Sequence, residues 1–288
     1  VIPTWNRARL VCEAIESALS QSVGPVEVIV VDDGSTDNSA DVLARSFGSR
    51  IHLLRMSHRR GPGAARNAGV GLASGELLAF LDSDDLWLPG KLEAELSALE
   101  RFPEAEAVVS DSLRFLEGQA NESSCFATNG LLAATQGEVR LLSECPWLWT
   151  NILNGVATCS ITLRRRVLAR FGETLFAEDL ACCEDWEFEL RVYHQCRVVV
   201  LPEVCAQIRR FDDGSRPGRA RPGKPPTREQ EIRLMRDRLT VIARAHWRSG
   251  LDTDLALELE RSRSNSARQL ARLIQDDQSA VDKSGSIR

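Results

Sequence analysis

The sequence predicts an α/β protein built on a Rossmann-like, mostly parallel central sheet flanked by helices. Three observations carry that expectation. The run Val26, Val28, Ile29, Val30, Val31 is continuously apolar, as in a strand covered on both faces, and it ends in two consecutive carboxylates, Asp32 and Asp33. A second apolar run, Leu77 to Leu81, ends the same way, in Asp82, Asp84 and Asp85. Strand and helix signals alternate around both, as parallel βαβ units require. Charges directly after such strands lie at the carboxyl edge of the sheet, where open α/β sheets bind ligands. On this evidence "DDGS" is either a helix-capping turn or part of a ligand-binding rim.

Taken in order, Val1-Ile2-Pro3 ends a strand, and Leu10, Ala14, Ile15, Ala18 and Leu19 then share one helical face. The strand Val26 to Val31 follows, with a helix from Ser39 to about Phe47, a short strand Ile51 to Arg55 and a glycine-rich turn. A helix from Ala64 to Ala73 leads into the strand Leu77 to Leu81. Past Asp85 come a helix from Pro89 to about Arg101, a strand Ala107 to Ser110, a loop region and the Trp-rich stretch "CPWLWTNILNG". A strand over Ala157 to Leu163 runs into a short basic helix, "EDWEFELRVYHQ" is helical, and Arg197 to Leu201 is a strand. Proline and glycine in "RPGRARPGKPP", residues 216–226, mark a linker. Two helical segments are expected beyond it, about 227–248 and 252–276, with a disordered tail.

With 288 residues the chain can bury a sizeable core, as one large domain or a domain plus an appendage. A net charge of −5 argues against a nucleic-acid binder dominated by phosphate contacts. The eight cysteines form no C-x-x-C pair, a spacing that suits neither a zinc site nor a disulfide framework, so reduced thiols in a cytoplasm are expected. No apolar run approaches the roughly 18 to 20 residues that span a bilayer. The chain begins at Val1 inside a strand, so a few residues are expected to precede it. His52, His58, His194 and His246 share no ligand spacing.

The chemistry gathers in a few short stretches. In "LDSDD", two aspartates one residue apart can direct one carboxylate to a divalent cation and the other to a sugar hydroxyl; the alternative is a solvated acidic turn. "GPGAARNAG" supplies glycines for close backbone approach and Arg66, which can neutralise a phosphate or bond a base carbonyl. Trp5 follows a strand and offers a flat face for a base, or serves as a rim aromatic.

Taken together, "VIPTWNR", "EVIVVDDGSTD", "GPGAARNAG", "LAFLDSDD" and, a hundred residues on, "CCEDWEFELR" resemble the family-2 glycosyltransferases, inverting nucleotide-sugar enzymes of GT-A fold. The resemblance covers roughly residues 1 to 215. It implies that Asp33 binds the base with Trp5 against it, and that Pro3, at the end of the preceding strand, is also part of the nucleotide-binding site. Asp82 would contact the ribose, Asp84 a Mn²⁺ or Mg²⁺ ion, and Arg66 the nucleotide. Asp32 would shape the turn, and Ser35 or Asp37 would cap the next helix. In "EDW" the family's base is the aspartate, here Asp185, for which the alternative is a favourable interaction with the helix dipole; Glu184 would orient the acceptor or a helix terminus, and Trp186 would wall the acceptor pocket. One departure stands out: in "AQIRRFDDGS" Phe211 occupies the place where the family often has a histidine, and Arg209 or Arg210 would replace it.

The resemblance divides the chain into a nucleotide-sugar-binding half (1–115), an acceptor-binding half (116–215), the linker 216–226 and a helical extension (227–288). It implies transfer of a sugar from a nucleotide-diphosphate donor, a UDP-sugar by expectation, to a hydroxyl of a glycan, a lipid-linked intermediate or a small molecule. Cell-surface polysaccharide or glycoconjugate synthesis is the expected setting. The alternatives are a nucleotidyltransferase, for which "PTWNRARL" lacks the glycine-rich loop, and a non-catalytic nucleotide-sugar-binding scaffold. Residues 216–248 carry ten Arg/Lys against Glu229, Glu231 and Asp237. That segment is either a solvated helix packing Ile232, Leu239 and Ile242 on the catalytic domain or a peripheral contact with the inner face of the membrane, and it is also the expected surface for self-association.

Overall fold

The computed structural model describes residues 1–24, 26–116, 124–142, 156–211, 227–248 and 261–272. Strands β1 (Ile2–Thr4), β2 (Ile29–Asp32) and β3 (His52–Arg55) form a parallel sheet in the order β1-β2-β3. The second sheet holds β4 (Leu77–Ala79), β5 (Leu86–Trp87), β6 (Ala107–Leu116), β7 (Arg140–Leu141), β8 (Ile161–Arg164) and β9 (Val198–Arg210), in the order β4-β8-β6-β9-β5 with β7 pairing β9. Val1 joins the two: its nitrogen donates to Ala79 O at 2.8 Å and its carbonyl accepts the Leu81 amide at 3.1 Å. The sheet therefore runs β3-β2-β1-β4-β8-β6-β9-β5 across the molecule.

Alternation along β2 explains why its sequence is apolar throughout. Val28 and Val30 face one way and pack with Val11, Ala14, Ile15 and Ala18 of α1 (Ala8–Leu19) and with Leu43 and Phe47 of α2 (Ser39–Phe47). Ile29 and Val31 face the other way, onto Ala65 of α3 (Pro62–Leu72). The four buried positions of α1 recur at the spacing of a single helical face. A third cluster seats α4 (Lys91–Arg101) through Ala98 and Leu99 on Val108 and Val199. Two short helices, α5 (Cys125–Asn129) and α6 (Leu131–Thr135), precede β7, and α7 (Glu184–Gln195) packs Phe188 and Val192 into the same cluster as Val31.

The sheet is mixed. Its first half is parallel as expected, whereas β8 runs antiparallel to β4 and β6, and β5 and β7 run antiparallel to β9. Strands β6 and β9 are also far longer than the apolar runs that announce them. They pair in parallel from Ala107↔Val198 to Leu116↔Arg210, with register shifts on either side of Asp111. Polar residues such as Asp111, Ser112 and Arg114 interrupt the apolar signal while the ladder continues. Helix α4 starts at Lys91, two residues after Pro89, because Gly90 stands at φ 83° ahead of it. The Trp-rich stretch from residue 145 to 155, the linker 216–226 and the expected tail lie outside the described residues.

Helix α8 (Arg228–Arg248) packs on the α/β domain: Met235, Val241 and Ile242 are buried, with Ile232 and Leu239 half-buried. Residues 261–272 are helical, inside the segment expected over 252–276. Among the described residues, no helix is long and apolar enough to cross a membrane.

Candidate active site

The turns after β1 and β2 are tied side by side, since the Thr4 carbonyl accepts the Asp33 amide at 2.8 Å. Asn6 completes the tie: its amide donates to Ser35 Oγ at 2.9 Å, and its Oδ1 accepts the Thr36 amide at 2.8 Å. These bonds hold Asn6 at φ 53°, a conformation that asparagine tolerates better than most residues. Asp32 is fully buried and shapes the turn from inside, its Oδ1 accepting the Ser35 amide at 2.9 Å. With Ser35 engaged by Asn6, Asp37 serves the next helix, accepting the Ser39 amide at 2.9 Å. Gly34 crosses between them at φ +69°, and a Cβ there would lie 2.7 Å from the His58 carbonyl carbon. Gly34→Ala is expected to destabilise the fold by about 2–4 kcal/mol, combining left-handed strain with overpacking. Denaturant unfolding reads this as a lower midpoint at unchanged slope.

Asp33 organises the approach to α3. Its two carboxylate oxygens accept the backbone amides of Arg60 at 2.7 Å and Gly61 at 2.8 Å. Burial pushes its carboxyl upward, and these bonds pull it back. Trp5 is 36% exposed and carries the Arg59 guanidinium 3.7 Å from its ring centroid, so the aromatic face is partly covered by a cation that is itself at the surface. Pro3 lies buried within β1, opposite Val31.

Arg66 joins the two halves of the site. Buried on α3, it donates to Asp82 Oδ1 at 2.6 Å and to Glu184 Oε1 at 3.1 Å, and its guanidinium lies 5.1 Å from the Phe176 ring centroid. Phe176 in turn packs on Phe80 and Phe188, with ring centroids 5.1 and 4.3 Å away. An apolar floor beneath a charged trio strengthens each charge–charge contact. Burial, with the neighbouring Asp185 charge adding to it, pushes the Glu184 carboxyl up to about 7. Glu189, one turn further along α7, is buried too, and burial together with Asp185 pushes its carboxyl well up. Asp185 itself is exposed at the first turn of α7, one oxygen accepting the Trp186 amide at 2.8 Å.

The Asp84 carboxylate is buried and held by Arg7 at 2.8 Å. Arg209 supports this turn from β9: its amide donates to Asp85 Oδ1 and its Nε to the Asp84 carbonyl, both at 3.0 Å, while its terminal nitrogen reaches Glu13 Oε2 at 2.5 Å. Alternation along the strand directs Arg210, which is half-buried, to the opposite face. Trp186 is half-buried against α8, with the Arg238 guanidinium 5.7 Å from its ring.

Residues 1–126 match the sequence family described as Glycosyl transferase family 2. This match places residues 1–126 in glycosyltransferase family 2. The chain is 33% identical over 174 residues to the uncharacterized glycosyltransferase alr2836 of Nostoc sp., covering 59% of this chain and 51% of that relative. Over 99 residues it is 37% identical to Escherichia coli WfgD, named as a UDP-Glc:alpha-D-GlcNAc-diphosphoundecaprenol beta-1,3-glucosyltransferase; the match covers 34% of this chain and 39% of that one. The chain thus spans about half the length of the first relative and less of the second. The mannosyltransferase PcManGT from Pyrobaculum calidifontis, solved in complex with GDP-Man and Mn²⁺, has the same fold: TM-score 0.63 and 18% identity, over 99% of this chain and 78% of that one. The fold is of the GT-A type.

The structure brings Arg66, Asp82 and Glu184 into one bonded group, with Asp185 adjoining Glu184 and with Asp84 two residues from Asp82. It seats Arg209 behind the Asp84–Asp85 turn and Trp186 under α8. Sequence reasoning missed Arg7, Arg59 and Glu189. Arg7 carries a usable signal, being a cation placed directly after a strand end. Glu189 lies four residues after Asp185, on the same helical face.

Proposed function

We propose that the chain is the catalytic domain of an inverting glycosyltransferase that moves a sugar from a nucleotide-diphosphate donor, a UDP-sugar, to an acceptor hydroxyl. One observation carries this reading: Asp185 is an exposed carboxylate beside a cluster in which buried Asp84, buried Glu184 and half-exposed Asp82 are each paired with an arginine. Such a group can accept a proton from an incoming hydroxyl, while its neighbours are held in place. The acceptor oxygen attacks the anomeric carbon on the face opposite the diphosphate. The bond to the diphosphate oxygen breaks with its electron pair, the hydroxyl proton passes to an Asp185 oxygen, and the configuration inverts. Arg66 fixes Asp82 and Glu184 relative to each other, so the donor and acceptor sides keep one spacing through the step.

A divalent cation fits this site. Among the described residues, no three His, Cys, Asp or Glu side chains converge to hold one alone. A single carboxylate at Asp84 suits Mn²⁺ or Mg²⁺, which favour oxygen ligands and commonly take only one or two carboxylates plus substrate phosphates. When bound, the ion supplies neutralisation of charge on the departing diphosphate. Donor binding dependent on Mn²⁺ is the test. Asp84→Ala should weaken nucleotide-diphosphate binding in Mn²⁺ by roughly tenfold or more and abolish transfer, and full turnover in EDTA would refute the role. Arg7 already occupies the Asp84 carboxylate, so it opposes a second cation there. Arg7→Gln is expected to tighten Mn²⁺ binding to the nucleotide-free protein by about tenfold in calorimetric titration.

The UDP assignment rests on WfgD, whose similarity to this chain reaches 37%. The same relative supports a sugar hydroxyl on a lipid diphosphate as acceptor, in surface polysaccharide or glycoconjugate assembly at the inner face of the membrane. A thermal-shift panel of UDP, GDP and their sugars with Mn²⁺ decides the base. A donor-hydrolysis assay separates the enzyme from a non-catalytic scaffold.

A further inference from the structure

The loop that leads into α7 is strained and held from outside. Cys183, the residue before Glu184, stands at φ 65°, a left-handed conformation at a non-glycine position, and its own side chain makes no capping hydrogen bond to the helix it precedes. Such a turn persists only where its surroundings fix it, and here the fixing groups come from α8. Asp237 Oδ2 accepts the Cys182 amide at 2.8 Å across 55 residues of sequence. Arg244 pairs with Asp179 at 2.5 Å and pins the other end of the same loop. Between these anchors, buried Val241 packs on Leu180 and Cys183, with Leu234, Trp186 and Leu190 around them, and Arg238 lies over the Trp186 ring. All of these contacts fall on residues 179–190, which contain Asp185.

We propose that Asp237 is a positioning residue for Asp185, and that the carboxyl-terminal helix α8 is a working part of the active site. The proposal rests on the reading of Asp185 as the base. Asp237 touches no reacting atom: it holds the Cys182 amide, which holds the Cys183 turn, which sets where the first turn of α7 begins. A displacement of about 1 Å in a reacting group costs on the order of 10² in rate, so a loosened turn is read in kcat.

The test compares Asp237→Ala with Asp237→Asn, whose amide oxygen still accepts the Cys182 amide. Asp237→Ala should lower kcat by about 10- to 100-fold with donor KM within about twofold, and Asp237→Asn should stay within about threefold of the parent. Hydrogen exchange at residues 179–186 should quicken in Asp237→Ala alone. In the Asp185→Asn background, Asp237→Ala should cost nothing further in kcat, because both act through one group. An unchanged kcat in Asp237→Ala, or a loss that adds fully to that of Asp185→Asn, overturns the proposal. If Asp237→Ala fails to fold, Arg244→Ala decides: kcat lowered about threefold or more at unchanged donor KM supports the clamp, and unchanged kcat removes it. If Asp185→Asn alone leaves kcat intact, the reading of the base has failed. The exchange measurement still reports independently on whether α8 holds the loop.

Discussion

Asp185→Asn is expected to lower kcat by about 10² to 10⁴ while donor affinity changes by less than about twofold. Four carboxyl groups lie close together on α7, and burial decides between them. Glu184 is spent on Arg66, Glu187 is buried and paired with Arg191, and Glu189 is buried with its acid pushed well up, so none of these is free to meet an acceptor as a carboxylate. Asp185 alone of the four is exposed. Asparagine keeps its shape and its bond from the Trp186 amide but cannot take a proton. Steady-state kinetics with a saturating donor, paired with a direct measure of donor binding, checks the expectation. A loss of donor affinity equal to the loss of kcat would make Asp185 structural.

How far the site could be read before the structure depends on whether its residues announce themselves locally. Helices over Ser39–Phe47 and Glu184–Gln195 are legible to the residue, because their apolar positions recur on one face and their starts are marked by turn and acidic residues. "DDGS", "DSDD" and "EDW" are legible because strand ends and helix starts place their carboxylates at fixed offsets. The length of β6 and β9 is not: their outer halves mix Asp111, Arg114 and Arg209 into the strands, and pairing with each other, and of β9 with β5, keeps them extended. The antiparallel setting of β8 depends on which strands flank it, which no local pattern states. Ion pairs are the least legible. Arg66 and Glu184 meet across 118 residues and Cys182 meets Asp237 across 55, so neither pairing leaves a trace in the spacing of its own segment. What the sequence shows is a set of acids; which arginine restrains each one is a property of the folded chain.

Those restraints give Arg66→Met the second large expected effect, on stability and with a defined pH dependence. The arginine is buried between Asp82 and Glu184, and removing it leaves Glu184 buried beside Asp185 with no cation. Breaking a buried pair in this way costs about 3–5 kcal/mol, far more than a surface pair. The sign with pH follows from Glu184. Its folded carboxyl already titrates at about 7, above the ordinary value of 4.5, so between those values the folded state binds more protons than the unfolded one. Its contribution to stability therefore falls as pH rises through that window and levels off above it. Without Arg66 the folded value moves higher still, because the charged form loses its partner and only the neutral acid suits the site. Arg66→Met should accordingly be most costly near pH 8 and recover much of its stability near pH 5, where a protonated Glu184 needs no cation. Glu184→Gln in the Arg66→Met background should restore part of the loss at pH 8 and nearly none at pH 5. Chemical denaturation of the parent, Arg66→Met, Glu184→Gln and the double variant at both pH values measures this. Equal costs at pH 5 and pH 8 would show that Arg66 stabilises the fold through its packing on Phe176 and its bond to Asp82, with Glu184 a bystander.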